Sequence, residues 1–325
     1  MKAAIIGAGF ISDFHADGYL GAQGVTLCAI CDMDAEKARA LAQKFGCSWY
    51  TDAETMLQRE RPDLVSICLP TFLHQRYAAL ALEYGAHVLC EKPLALTQEE
   101  RARILAAQAA SGKVFMTGQV VRWWPEYIRI ASLSKRLGKP RFLRAQRLAH
   151  AMRAGWLLDP LKGGGALYDL FVHDVDYACS LLGTDAEVMA ANGSKGAEGS
   201  WRRVSAMLNW PGGSYAQIEA CNSMPEGFPF TVSLRAEYEN ACIDYSFRAP
   251  VNIQREAPTQ TQLLLYENGA VTALPVEPDA QGKAFAAEIA AFIQGAQRGI
   301  SPLPAEETCA VMDLIGKVQK MLDNT

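Results

Sequence analysis

The sequence predicts an α/β protein built in two parts. An N-terminal domain has a parallel sheet with helices on both faces, and a C-terminal α+β domain has an open, mainly antiparallel sheet. Three observations carry this prediction. From residue 2 to about residue 117, short apolar runs alternate with helical stretches of roughly ten to fifteen residues, the pattern of βαβ units. The first run, Ala3-Ala4-Ile5-Ile6, is unbroken, as expected of a strand buried on both faces. From Glu187 to Ala273 the pattern is strand after strand, with turns at Pro211-Gly212-Gly213, Pro225-Glu226-Gly227 and Glu267-Asn268-Gly269. No long helix separates those strands, so they pair largely antiparallel. The style of the sequence changes near residue 120, which places the domains at 1–120 and 121–325.

The first strand ends in Gly7-Ala8-Gly9-Phe10-Ile11-Ser12, a G-x-G-x-x-S variant of the dinucleotide fingerprint. Gly7 permits a tight turn, and Gly9 lets the main chain approach a pyrophosphate. A helix expected to begin near Phe10 and Ile11 turns N–H groups and a positive dipole end towards the phosphates. Ser12 replaces a third glycine and is small enough for close packing of helix on strand. Asp32 closes the next strand, Val25 to Ile30, about 20 residues on, where an acid accepts hydrogen bonds from a ribose. Asp34 to Phe45 is helical, with Ala38, Leu41, Ala42 and Phe45 on one face, and Gly46 stops it. A short helix spans Ala53 to Arg59, and the strand from Leu64 to Leu69 breaks at Pro70-Thr71. Leu73 to Tyr84 is helical, and Ala86 to Cys90 is the strand that runs into Glu91-Lys92-Pro93. Thr97 caps a helix through Ala110, with Glu100 at the reciprocal box position. Val114 to Thr117 is the last strand of the first domain. The turns after these strands should open on one crevice at their carboxyl ends. Beyond residue 120, Trp124 to Leu137 is helical and Arg141 to Leu148 alternates as a strand. A helix follows Gly163-Gly164-Gly165 from Ala166 to Leu182, and helices at about 281–297 and 305–322 end the chain.

A hydrophobic content of 50%, a charged content of 20% and a net charge of −4 describe a soluble globular protein of 325 residues. They give no support to nucleic-acid or membrane partners. The first apolar run ends in glycine and reads as a strand and not a signal peptide, and no run has the length of a membrane span. The expected location is therefore cytoplasmic. The 9 cysteines are odd in number and scattered, which suits reduced thiols better than a disulfide framework. Cys28 and Cys31 form a C-x-x-C within a strand, not at a helix start, so a redox or zinc role is not assigned. No metal site is expected.

Three further constellations suit chemistry. Lys92, at a strand mouth, can donate to a substrate oxygen and stabilise negative charge; its bland reading is a solvated turn lysine. Asp169 and His173 lie four apart on one helical face, so the acid can orient or charge-tune an imidazole able to act as a base. Their bland reading is a surface ion pair or a satisfied core histidine, and Asp174 and Asp176 look structural. Gln119, Arg122, Trp123 and Trp124 offer fork hydrogen bonds and ring contacts to an oxygen-rich small molecule, or simply packing.

Four motifs occur in order: Gly7-x-Gly9-x-x-Ser12-x-x-His15, Cys68-Leu-Pro-Thr-x-x-His74, Glu91-Lys92-Pro93 and Gly163-Gly-Gly-x-x-x-Asp169-x-x-x-His173. Over essentially its whole length the chain resembles the glucose–fructose oxidoreductase / inositol dehydrogenase family (Gfo/Idh/MocA). The resemblance implies a Rossmann domain, an open-sheet domain and a pyridine nucleotide between them. It also implies oxidation of a secondary alcohol of a sugar or cyclitol. By motif position it makes Lys92, Asp169 and His173 the catalytic set. Gly7, Gly9, Phe10, Ile11, Asp32, Pro70, Thr71, His74, Glu91, Lys92 and Gln119 would bind the cofactor, and Arg122, Arg153 and Trp156 would contact substrate. Ser12 departs from the family glycine. Phe171 stands where many members have a small residue, and its ring is expected to narrow the pocket.

Asp32, followed by Asp34 and not by an arginine, favours NAD over NADP. The expected partners are a small polyhydroxylated substrate and a second copy of the chain, in a dimer or tetramer. Val204, Ala206, Leu208, Ile218 and Ala220 would furnish an uncovered apolar sheet face for that contact. Two other functions fit the same motifs. One is an enzyme whose tightly held nucleotide is recycled within a turnover, as in redox-assisted glycosidases; the other is a nucleotide-binding sensor without chemistry, against which the intact Lys92, Asp169 and His173 argue, since a pure binder needs no base.

Overall fold

A computed structural model describes residues 1–150, 155–250 and 259–324 of the chain. By the contacts their backbones make in space, these divide into two compact units. The first comprises Met1–Val120 with Gly282–Cys309, and the second Val121–Gln281 with Ala310–Thr325.

The first unit carries a six-stranded parallel sheet. Its strands are β1 (Lys2–Ile6), β2 (Thr26–Cys31), β3 (Ser48–Tyr50), β4 (Leu64–Ile67), β5 (His87–Glu91) and β6 (Phe115–Gly118), in the order β3-β2-β1-β4-β5-β6. The three-residue β3 is too short to leave a periodic signal, and it is the one strand of this sheet that the sequence does not announce. Strand order reverses beside β1, so the crevice at the carboxyl ends of β1 and β4 is the switch point of a doubly wound sheet. The helices are α1 (Ser12–Leu20), α2 (Ala35–Phe45), α3 (Ala53–Glu60), α4 (His74–Glu83) and α5 (Gln98–Ser111). Their starts follow their caps. Asp34 accepts from the N–H groups of Glu36 and Lys37, Asp52 accepts from Thr55, and Thr97 with Glu100 forms the full capping box. α1 starts at Ser12, two residues later than expected, so Phe10 and Ile11 belong to the turn.

Sequence order assigns 121–325 to one domain, but residues 282–309 group with the first unit. The reason is apolar packing of the helix Ala280–Arg298 (α9 in chain order) on α1. Phe285 stacks on Phe14 at 4.9 Å, and Ile289 fills the notch left by Gly18, where an added Cβ would lie 2.8 Å from its Cγ1. Ser301 Oγ then donates to the Phe115 carbonyl of β6 at 2.8 Å.

The second unit is built on an eight-stranded sheet, β14-β13-β12-β11-β7-β10-β9-β8. All its pairs are antiparallel except β7 (Phe142–His150) with β10 (Tyr215–Met224), which run parallel. The others are β8 (Glu187–Lys195), β9 (Trp201–Asn209), β11 (Phe230–Glu237), β12 (Ala241–Ala249), β13 (Gln260–Glu267) and β14 (Ala270–Ala273). Its helices are α6 (Pro125–Leu137), the single turn α7 (Gly155–Leu158), α8 (Val172–Leu182) and most of α10 (Ala305–Asp323). The helix expected from Ala166 begins instead with a π-helical segment, Leu167–Phe171, ahead of α8.

The expected apolar outer face is corrected here. Val204, Ala206, Leu208, Ile218 and Ala220 are all buried. They pair with one another in register, Ile218 with Ala206, Ala220 with Val204 and Ala216 with Leu208. A strand alternates sides every residue, so these positions form the inner face. Their neighbours Ser205, Met207, Gln217 and Glu219 form the other face, where Gln146 donates to Glu219 at 2.8 Å and Arg203 pairs with the same carboxylate. Phe171, read as a ring that narrows a pocket, is wholly buried. It packs in the core and lines no open space.

The cysteines lie apart in the fold, with Cys31, Cys68, Cys90, Cys179 and Cys221 buried. Burial raises Cys28 to about 11 and Cys31 to about 12, so neither is a ready thiolate. No helix among the described residues is long and apolar enough to cross a membrane.

Candidate active site

The fingerprint turn is held tightly on its inner side. Gly7 has φ +108°, and a Cβ there would run into the Cys68 carbonyl, so only glycine fits. The Gly7 N–H donates to the Cys31 carbonyl at 2.7 Å, and the Ala8 N–H donates to Asp32 Oδ2 at 2.7 Å. Ser12 is fully buried and its hydroxyl donates to the Gly7 carbonyl at 2.7 Å. The residue that departs from the glycine pattern thus closes the loop. The outer side differs. Gly9 is exposed, and nothing lies within 4 Å of where its Cβ would be. Packing therefore does not require this glycine; the close approach of a phosphate would.

Of the other residues expected at the cofactor, Pro70 is half-buried and Thr71 is buried at the start of a single 3₁₀ turn, Thr71–Leu73. Gln119 is fully buried, and neither end of its amide has a hydrogen-bond partner among the described residues; Thr117 Oγ1, two residues before it, is in the same state. Leaving such groups unmatched costs about 1–3 kcal/mol each. A bound group with amide or hydroxyl functions would relieve that cost, so the residues here fit a pyridine nucleotide.

Two residues expected at the cofactor are engaged within the protein. His74 is completely buried, with Nδ1 at 2.9 Å from the Pro93 carbonyl and Nε2 at 2.8 Å from the Leu69 carbonyl. Both ring nitrogens face main-chain carbonyls of the protein. Glu91 is buried as well. Its Oε1 lies 2.9 Å from His15 Nε2, and its Oε2 accepts the Lys92 N–H at 3.3 Å. His15 continues inward through Nδ1 to Ser66 Oγ at 2.9 Å, and Ser66 meets the Tyr19 hydroxyl at 2.8 Å. Burial opposes charge on this ring, but Cys68 and Glu91 beside it prevail and lift its pKa to about 10. His15 closes the first sequence motif, and its spacing from Gly7 is the signal in the chain that points to it. His15, Glu91 and Glu288 also place ligand atoms within 4.8 Å of one another, but both nitrogens of His15 are already engaged. The Lys92–Pro93 bond is cis.

In the second unit, the triple glycine is dictated by contact. A Cβ on Gly163 would lie 2.5 Å from Leu157 Cα, and one on Gly165, at φ +70°, 2.5 Å from the Trp201 carbonyl. Asp169 follows, half-buried, in the π-helical turn, and His173 is in the first turn of α8 with 9% of its surface exposed. π-Turns of this kind recur at functional sites. Asp174 and Asp176, read as structural, are each bound by an arginine fork. Arg147 donates to Asp174 at 3.1 and 2.9 Å, and Arg122 donates to Asp176 at 2.7 and 2.8 Å. Arg122, expected at the substrate, has its fork spent on a fully buried carboxylate. Trp156 is half-buried in α7, and Arg153 lies outside the described residues.

Residues 1–119 match the family model GFO/IDH/MocA, an oxidoreductase family with an NAD-binding Rossmann fold, and residues 127–239 match the GFO/IDH/MocA C-terminal domain. The chain is 35% identical over 193 residues to a D-glucoside 3-dehydrogenase of Escherichia coli K12, covering 57% of this chain and 55% of that protein. It is 28% identical over 228 residues to a UDP-N-acetylglucosamine 3-dehydrogenase of Acidithiobacillus ferrooxidans, covering 70% of this chain and 68% of the relative. The match to the E. coli protein thus spans little more than half of that protein's length. Among solved structures, KijD10, a 3-ketoreductase from Actinomadura kijaniata in complex with NADP and TDP-benzene, shares the fold. It has a TM-score of 0.85 and 20% identity, covering 99% of this chain and 98% of that one.

Proposed function

The chain belongs to the Gfo/Idh/MocA oxidoreductase family, and from that premise we propose that it is an NAD(P)-dependent dehydrogenase acting on a secondary alcohol of a sugar or cyclitol. The observation that carries the reading is the Gly7–Ser12 turn, knit together on its inner side and open at Gly9. The names of several similar proteins direct attention to one carbon: a glucoside 3-dehydrogenase, a UDP-N-acetylglucosamine 3-dehydrogenase and a 3-ketoreductase. The 3-hydroxyl of a hexose ring is therefore the first position to test.

The nicotinamide, when bound, supplies the hydride acceptor. The chain's own residues handle the proton and the charge. We assign His173 as the base that takes the hydroxyl proton, with Asp169 orienting the imidazole or touching a neighbouring hydroxyl. Lys92 stabilises the alkoxide as it develops; His173 and Lys92 can exchange these parts. NAD is proposed over NADP. Asp32 and Asp34 put two carboxylates at the end of β2 where a 2′-phosphate would lie, and the N–H groups of Lys37 and Glu36 hold Asp34 below the usual carboxylate range. Self-association into a dimer or tetramer is proposed as well. Light scattering at micromolar concentration should show a mass above that of the 35.4 kDa chain.

The test is a panel of glycosides, nucleotide sugars and cyclitols, each with NAD⁺ and NADP⁺, read by absorbance of the reduced cofactor. Turnover of at least one secondary alcohol is expected. Bound nucleotide that copurifies, without turnover of added nucleotide, would favour an enzyme that recycles its cofactor internally. Nucleotide binding without turnover of any kind would leave only a sensor.

A further inference from the structure

Two turns of the first unit carry residues of the proposed site: Pro70-Thr71 after β4, and Lys92-Pro93 after β5. One side chain joins them. His74 opens α4, lies completely buried, and spans the 2.9 Å to the Pro93 carbonyl and the 2.8 Å to the Leu69 carbonyl with its two ring nitrogens. Carbonyl oxygens only accept, so the neutral ring donates its one N–H to one of the two carbonyls, and the protonated ring donates to both. Burial lowers the pKa of this ring, while the Leu69 and Pro93 carbonyls and the Glu91 carboxylate pull the other way. The next corner residues are fixed separately, since Glu91 takes both His15 and the Lys92 N–H. The main chain on either side of Lys92 is thus tied to α1 through one histidine and to α4 through another.

We propose that His74 is a positioning residue for Lys92. Seated between the Leu69 and Pro93 carbonyls, its ring fixes the spacing of the two turns, and with it the point from which the ammonium is presented. The inference rests on the assignment of Lys92 to the reaction. His74 touches no reacting atom; it acts through the backbone of Pro93. A displacement of about 1 Å at a reacting group costs on the order of 10²-fold in rate, so a bond this close to Lys92 has leverage on turnover that its stability contribution alone does not reveal.

The experiment compares the full-length chain with His74→Leu, which reaches neither carbonyl, and His74→Gln, whose amide can donate to one. On the best alcohol of the panel, kcat should fall by about 10²-fold in the leucine variant and roughly tenfold in the glutamine variant. KM for the alcohol and the nucleotide dissociation constant should stay within about twofold. A folded variant with a lower melting temperature and unchanged kcat would overturn the proposal, since His74 would then be structural only. A second readout needs no turnover. The acylation rate of Lys92 by an amine-reactive reagent, followed by peptide mass spectrometry against exposed Lys37 in the same sample, should change by roughly threefold or more in each variant. An unchanged Lys92 rate in folded protein refutes the positioning role even if the protein oxidises no alcohol. Failure of the dehydrogenase reading is thereby kept distinct from failure of this one. Should His74→Leu fail to fold, His74→Gln alone decides both readouts.

Discussion

The Ala8 N–H donates to Asp32 Oδ2 at 2.7 Å, while Asp32 Oδ1 accepts from the Asp34 N–H at 2.9 Å. The acid proposed to receive a ribose is therefore also the post to which the fingerprint turn is tied. One oxygen orders the loop and the other orders the start of α2. Asp32→Ala should then do two things at once. The ratio of kcat/KM with NAD⁺ to that with NADP⁺ should drop, and affinity for both nucleotides should weaken as the loop loosens. Steady-state kinetics with both cofactors reads the first effect, and fluorescence titration the second. An unchanged cofactor ratio removes Asp32 from the argument for NAD.

His173→Ala and Lys92→Ala should each lower kcat by at least about 10²-fold, the lower bound for loss of a general acid or base. Nucleotide binding should be almost unaltered. Near-normal turnover in either variant excludes that residue from the chemistry.

Arg122 supplies a different kind of test. Its fork closes on Asp176, whose side chain is fully buried. Arg122→Met leaves that carboxylate without its fork partner, and breaking a buried pair from one side costs about 3–5 kcal/mol. Urea unfolding should show a loss of this order. If instead stability is unchanged and KM for the alcohol rises, Arg122 is a substrate contact after all.

The buried pair of His15 and Glu91 predicts a pH dependence of stability. The pKa of His15 rises from 6.5 to about 10 on folding. Its contribution is complete below about pH 6.5 and is lost as the pH climbs through about 10. The wild-type protein should lose stability between pH 7 and 10, by an amount on the order of a few kcal/mol. His15→Gln should flatten this slope. Denaturant midpoints at pH 6.5, 8 and 9.5 measure it, and parallel slopes for the two proteins would show that His15 is neutral when folded.

The parallel sheet, the fingerprint and the capping box at Thr97 and Glu100 were all legible in the chain, because each depends on residues close together in sequence. Apolar runs bounded by glycine report strands. A cap lies within four residues of the N–H it serves, and the acid after the second strand lies at a distance set by one βαβ unit. Which face of the second sheet is buried was not legible. Val204, Ala206, Leu208, Ile218 and Ala220 announce an apolar face by their alternation, but alternation is indifferent to which side the helices cover. Nor does spacing tell which polar residues stay available to a ligand. Arg122 and His74 suit ligands by type, and each is claimed by a partner elsewhere in the fold, Asp176 in one case and two carbonyls in the other. The sequence by itself determined the elements and the order of the motifs, since local propensity and spacing act over a few residues. Only the tertiary structure decided that α9 returns to pack on α1 and that His15 meets Glu91, because burial and hydrogen-bond partners are settled by segments that meet in space from far apart in the chain.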